Sequence, residues 1–264
     1  MVEYGRARTS DGVEIHFESI GGGPPLLFVH GLGDTGARFR PIVASLRSHF
    51  QCVRIDLRGH GQSAPAPDYA ALRLDRDLAA VTSLLGIERP LLVGHSLGGV
   101  AVSTFAARHG AAKVVNIDQP LEWSDLAARV RPFAAAITQG RGGEVLLQLL
   151  QEIGLSQLGP ELRSQLVASV RRLPSELIHE VWRPLLEQDD ETNAALVTGS
   201  VSGIDAPYLS LHGSAPAPSY TNWLARHIPS AQIEVWQGAG HYLHLTEPER
   251  FTARLHAFFD SPNP

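Results

Sequence analysis

Short runs of β-branched and leucine residues, each closing on Gly, Asp or His, alternate along most of this chain with longer stretches of helical periodicity. That alternation marks an α/β fold with a mostly parallel, twisted sheet flanked by helices, because a parallel strand must be followed by a crossover long enough to hold a helix. It predicts strands at Val13 to Ile20, Pro25 to Val29, Gln51 to Ile55, Leu91 to Val93, Lys113 to Ile117, Tyr208 to Leu211 and Gln232 to Trp236. Helices are expected at Arg38 to His49, Leu72 to Leu85, Leu97 to His109 and Pro248 to Phe259. Tyr4 to Arg8 should pair antiparallel with the first strand across Thr9-Ser10-Asp11-Gly12, since Asp-Gly between alternating residues is a hairpin signal.

From Leu121 to Gly203 the alternation stops. Leucines there recur at helical spacing, as in Glu144 to Ile153 and in Leu162, Leu166 and Val170, with Gly140, Gly142, Gly143, Gly159 and Pro160 as punctuation. The expected organisation is therefore a core of residues 1–120 and 204–264 with an all-helical cap, or lid, at 121–203. A chain of 264 residues buries enough apolar surface to need no staples, and none is available, because Cys52 is the only cysteine. It sits beside the apolar stretch Val53 to Leu57 and is read as an inert buried thiol.

The charge balance, 22 Lys plus Arg against 27 Asp plus Glu, comes without basic clusters larger than Arg171-Arg172 and argues against nucleic acid as a partner. Met1 to Arg6 holds no apolar signal core, and no stretch approaches the ~18 apolar residues of a membrane span. The expectation is a cytoplasmic protein with no membrane partner; a homodimer is admitted.

Gly94-His95-Ser96-Leu97-Gly98-Gly99 contains G-x-S-x-G, and its context sharpens it. The apolar strand Leu91 to Val93 runs straight in and a helix runs out. A serine on so sharp a strand-to-helix turn is held in strained geometry that projects its hydroxyl above the sheet, at the positive end of the following helix. Ser96 is thus the candidate nucleophile, and the amide of Leu97 can donate to a developing oxyanion. Stabilising that charge takes a second donor. His30-Gly31-Leu32-Gly33-Asp34 follows the strand Leu26 to Val29, and its glycines let the backbone approach the serine, so the amide of Leu32 is the second candidate. His30 is read as a brace for that loop. Gly31 and His95 are also expected to border the substrate.

With these segments the chain resembles the α/β-hydrolase superfamily. His30-Gly31-Leu32-Gly33, Asp56-Leu57-Arg58-Gly59-His60-Gly61-Gln62-Ser63, Gly94-His95-Ser96-Leu97-Gly98-Gly99 and Gly238-Ala239-Gly240-His241 fall in that family's order. The resemblance implies that Asp56 to Ser63 is a structured turn in which Asp56 and Arg58 serve the fold.

Serine reacts only if a base takes its proton. His241 stands out among twelve histidines: it follows the strand Gln232 to Trp236 through Gly238-Ala239-Gly240, precedes the last helix, and matches the family's base. His244 and His95 are its nearest rivals, the first read as a pocket or helix residue and the second as a buried elbow residue. A carboxylate must then fix the imidazole tautomer. In most of the family it follows the strand equivalent to Tyr208 to Leu211, yet no Asp or Glu occurs between Asp205 and Glu234, and the loop there reads His212-Gly213-Ser214-Ala215-Pro216-Ala217-Pro218. Asp118, at the end of the strand after the nucleophile helix, borders the same crevice and is the expected acid, with Glu122 and Asp125 as alternatives. Ser96, Asp118 and His241 keep the order nucleophile, acid, base.

An acid on that strand is shared with haloalkane dehalogenases and fungal zearalenone lactone hydrolases. The dehalogenases use Asp where Ser96 stands. The lactone hydrolases are similar in their serine elbow, in an acid-x-Pro segment, in an Asp-free loop before the last strand and in a cap tryptophan comparable to Trp182, although their acid is Glu. The implied activity is a serine esterase or lactonase, working through an acyl-enzyme on an uncharged, fairly hydrophobic small molecule. Trp182 and Trp123 are expected to flank that substrate. No cofactor and no metal is expected, since no His or Cys cluster has ligand spacing. Cofactor-free perhydrolysis or haloperoxidation, carbon–carbon bond hydrolysis, and a receptor-like homologue without turnover remain the other readings.

Overall fold

The inner strands carry aliphatic side chains on both faces, which fits a sheet covered on two sides. In the computed structural model, which describes residues 2–262 and so leaves Met1, Asn263 and Pro264 of the expected core outside it, eight strands form one sheet. They are β1 (Glu3–Arg8), β2 (Glu14–Ile20), β3 (Pro25–Val29), β4 (Gln51–Ile55), β5 (Leu91–His95), β6 (Lys113–Ile117), β7 (Tyr208–His212) and β8 (Ala231–Val235). Their order is β1-β2-β4-β3-β5-β6-β7-β8; β2 runs antiparallel to β1 and β4, and every other pairing is parallel. The expected hairpin forms with Arg8 opposite Glu14, and its loop closes through Thr9 N–H to Val13 O at 2.9 Å with Gly12 at φ 87°.

Alternation along β3 assigns the two faces. Leu26 and Phe28 join an apolar layer with Ile42 and Leu46 of α1 (Arg40–Leu46) and Phe251, Leu255 and Phe258 of the C-terminal helix. Leu27 and Val29 face the other way, into a layer with Leu78 and Val81 of α2 (Asp75–Leu85) and Val100 and Phe105 of α3 (Leu97–His109). Between β6 and β7 lie only helices: α4 (Ser124–Val130), α5 (Ala134–Ala136), α6 (Gly142–Ile153), α7 (Pro160–Val170), α8 (Ser175–Glu187) and α9 (Asp190–Val201), interspersed with short tighter or wider turns. After β7 come α10 (Pro218–His227), β8, the single turn α11 (Leu243–Thr246) and α12 (Pro248–Asp260).

Two expected helices begin later than their periodicity suggests. The Arg38 to His49 segment is a 3₁₀ turn, Gly36–Phe39, followed by α1, because Pro41 lacks an N–H and fits only the first turn of a helix. The Leu72 to Leu85 segment likewise starts as a 3₁₀ turn, Ala71–Arg73, before α2. At the far end, Lys113 of β6 buries its ammonium against the carbonyls of Phe258 and Phe259 at 2.9 and 3.3 Å and that of Ser261, capping α12. Among the described residues no helix is long and apolar enough to cross a membrane.

Candidate active site

The turn from β5 into α3 carries Ser96 at φ 52°, ψ −124°, a conformation that costs an ordinary residue ~1–3 kcal/mol. The flanking glycines make it possible. A Cβ on Gly94 would strike the Gly98 carbonyl, and one on Gly98 the Val29 carbonyl, both backbone atoms that cannot yield. Ser96 N–H donates to Ile117 O at 2.9 Å, which ties the turn to β6.

Asp118, one residue past β6, is the other non-glycine residue with positive φ, 50°, among the described residues. Its backbone N–H donates to Leu211 O at 2.8 Å, so the carboxyl stands between the ends of β6 and β7. Oδ2 lies 2.7 Å from His241 Nδ1, and Oδ1 accepts the Gly213 N–H at 2.9 Å. Among the described residues Asp118 is the only carboxylate within ion-pair range of His241. Glu122 instead accepts the Ser124 amide at 3.0 Å, and Asp125 is exposed at the cavity mouth. Burial would raise the Asp118 pKa, but the donors of His212, His241 and the Gly213 amide outweigh it and hold the carboxyl well below the usual carboxylate range.

Ser96, Asp118 and His241 all border one cavity of about 630 Å³, within the range of small-molecule sites. Hydrogen bonds to His241 run from its Nδ1 and its backbone, and none is closed to Ser96; in resting sites such contacts are often long and tighten with substrate. Leu32 and Leu97 also line the cavity, and neither amide donates to another group of the described residues, leaving both N–H groups open to an incoming oxygen. The loop bearing Leu32 is braced by two buried histidines. His30 bonds the Gly31 carbonyl at 2.8 Å and accepts the Leu57 amide at 3.0 Å; His60 Nδ1–H donates to Arg58 O while its Nε2 accepts the Gly33 amide at 3.1 Å.

Trp123 and Trp182 both line the cavity, with Leu146, Leu150, Val181 and Leu185 from the helical insertion. Gly31 and His95 depart from expectation, for neither borders it. Gly31 packs behind Ser96, where a Cβ would meet the serine Cβ at 2.9 Å. His95 is buried beneath His241, its Nε2–H donating to the His241 carbonyl at 2.9 Å, so the ring supports the histidine loop from below. His244, the other rival base, is buried against His95 and Phe39, and neither nitrogen has a partner.

Several contacts at the site carry no sequence signal of their own. The His241 amide donates to Ile153 O of the insertion at 2.9 Å, and Arg38 links Asp34 in the Leu32 loop, at 2.9 Å, to Gln165 of α7, at 3.3 Å. His212, in the segment read only as lacking an acid, places Nδ1 3.7 Å from Asp118 Oδ1. Arg58 and Asp77 form a buried pair under the Asp56 to Ser63 turn, in keeping with Arg58 serving the fold.

Residues 26–254 match the model of the alpha/beta hydrolase family. The chain belongs to that family. Its relatives there include the pimeloyl-[acyl-carrier protein] methyl ester esterase of Chromobacterium violaceum, 27% identical over an alignment of 255 positions, gaps included, that covers 92% of this chain and 97% of the relative. A non-heme haloperoxidase of Rhodococcus erythropolis is 25% identical over an alignment of 280 positions, gaps included, that covers 96% of this chain and 98% of the relative. Among solved structures of the alpha/beta hydrolase fold, a putative aryl esterase from Burkholderia cenocepacia superposes with a TM-score of 0.80 at 24% identity, covering 97% of this chain and 98% of that one.

Proposed function

We propose that this alpha/beta hydrolase is a serine hydrolase that cleaves a carboxylic ester or lactone of an uncharged, fairly hydrophobic small molecule. One observation carries the reading: a histidine held by a 2.7 Å contact to a carboxylate borders the same cavity as a serine on a strained strand-to-helix turn.

In the proposed reaction Ser96 Oγ attacks the acyl carbon while His241 Nε2 takes its proton, and Asp118 holds Nδ1–H and stabilises the imidazolium. The amides of Leu32 and Leu97 donate hydrogen bonds to the oxyanion that develops on the carbonyl oxygen. The alcohol leaves with the proton from His241, remaining tethered if the substrate is a lactone. Water activated by the same histidine then attacks the acyl-enzyme, and the acid departs as Ser96 recovers its proton. Leu146, Leu150, Val181, Leu185, Trp123 and Trp182 favour an apolar substrate body, with the helical insertion acting as the cap over it.

The test is a panel of esters and lactones of graded chain length and ring size, assayed on the parent protein and on Ser96→Ala. Hydrolysis of neutral members by the parent alone is expected. Turnover retained by Ser96→Ala, or preference for charged members, would overturn the reading. Identification of the products separates ester cleavage from perhydrolysis.

A further inference from the structure

The register of β6 and β7 sets Ile117 opposite Leu211, so the next residues, Asp118 and His212, emerge side by side at the strand ends. His212 is 2% exposed, and its Nδ1 lies 3.7 Å from Asp118 Oδ1, the oxygen already held by the Gly213 amide. Its Nε2 is 2.8 Å from Ser210 Oγ, which is 2.9 Å from Tyr220 Oη. Ser210 and Tyr220 are equally buried, so the Nε2 side of the ring is shielded by protein, while His212 and Asp118 border the cavity.

That chain has two polarities. If Tyr220 O–H donates to Ser210 and Ser210 O–H to Nε2, the ring proton sits on Nδ1 and faces the carboxylate. The reverse polarity places Nε2–H on Ser210 and leaves a nitrogen lone pair facing a carboxylate oxygen, which is repulsive. The first arrangement is therefore selected. Asp118 then has N–H groups from two histidines and one backbone amide around it, all donors.

We propose that His212 is a positioning residue for Asp118: its ring, oriented by Ser210 and Tyr220, presents Nδ1–H to Oδ1 and keeps Oδ2 turned toward His241. It deepens the proposed hydrolase reading, because it explains how an acid on β6 is held at an angle that serves a histidine arriving from beyond β8. The depressed Asp118 pKa, to which His212 contributes, agrees with it.

The test uses the full chain with ¹⁵N-labelled histidine and reads the low-field proton of the His241 Nδ1–H···Asp118 hydrogen bond, identified by its loss in Asp118→Ala. In His212→Leu this resonance should move upfield and broaden, and kcat should fall about tenfold or more with KM nearly unchanged, as displacement of a supporting group does. His212→Asn, which keeps an N–H donor, should recover most of both signals. Ser210→Ala, which leaves the ring but frees its tautomer, should shift them in the same direction and serves if His212→Leu does not fold. An unmoved low-field proton in the folded variants would overturn the proposal. If the parent turns over no ester, the hydrolase reading fails, while the resonance still decides the role of His212.

Discussion

Asp118→Asn exchanges one carboxylate oxygen for an amide and leaves the volume unchanged, which isolates the electronics of the acid. Asp118 accepts from Gly213 N–H at 2.9 Å and from His241 Nδ1 at 2.7 Å, whereas Asn offers one acceptor and one donor in their place. The Gly213 amide belongs to the backbone and cannot change polarity. With the Asn oxygen on Gly213, its NH₂ meets His241 Nδ1 and forces the proton to Nε2, where the imidazole can no longer take one from Ser96. Flipping the amide restores the tautomer but sets two donors against each other, at ~1–3 kcal/mol for an unmatched buried group. Either way the imidazolium loses its compensating charge. The expected loss in kcat is about 10⁴-fold, or about 5.5 kcal/mol of transition-state stabilisation, in a variant that still unfolds cooperatively but at a lower temperature, because the ionised carboxyl also stabilises the fold. Steady-state hydrolysis of p-nitrophenyl esters alongside thermal unfolding measures both. A kcat within tenfold of the parent in a folded variant would refute the assignment and return the role to Glu122 or Asp125.

Gly31→Ala places a methyl 2.9 Å from Ser96 Cβ and 3.2 Å from His95 Nδ1, so loop or serine must shift; kcat should fall at least about tenfold. Unaltered kinetics would contradict that close approach. Lys113→Met removes the donor shared by three carbonyls at the end of α12 and should cost about 2 kcal/mol in denaturant unfolding, with activity per folded molecule unchanged. Burial pushes His60 and His244 down to about 3, while unfolded imidazoles titrate near 6.5. Their contribution to stability is therefore complete above pH 6.5 and is lost as pH falls toward 3, by up to about 1.4 kcal/mol per pH unit for each. Denaturant midpoints should accordingly drop between pH 7.5 and 5.5, and a flat profile would contradict the burial of neutral rings.

The parts of the fold that are legible in the sequence are those where backbone geometry restricts residue choice. Ser96 shows itself because a strained turn packed against Gly98 O and Val29 O admits only glycine two residues to either side, and strands buried on both faces show as short aliphatic runs such as Leu91 to Val93. Asp118 is legible by elimination, since β7 and its loop carry no acid. His212 is not, because its value depends on the register that sets β7 beside β6, and a single histidine carries no mark of its neighbour. Neither His95 nor Gly31 lines the cavity: the residue preceding the strand-to-helix turn points beneath the sheet edge rather than over it, and His95 ends under His241. The start of α1 was blurred for another reason: a 3₁₀ turn shares much of the α-helical spacing, and only Pro41 marks the boundary.

The account depends most on Ser96 being the nucleophile. Incubation with a fluorophosphonate, followed by intact-mass measurement and peptide mapping, tests that directly. One adduct per chain, on the peptide containing Ser96 and absent in Ser96→Ala, is the predicted result. An adduct on another residue, or undiminished labelling of the variant, would contradict it.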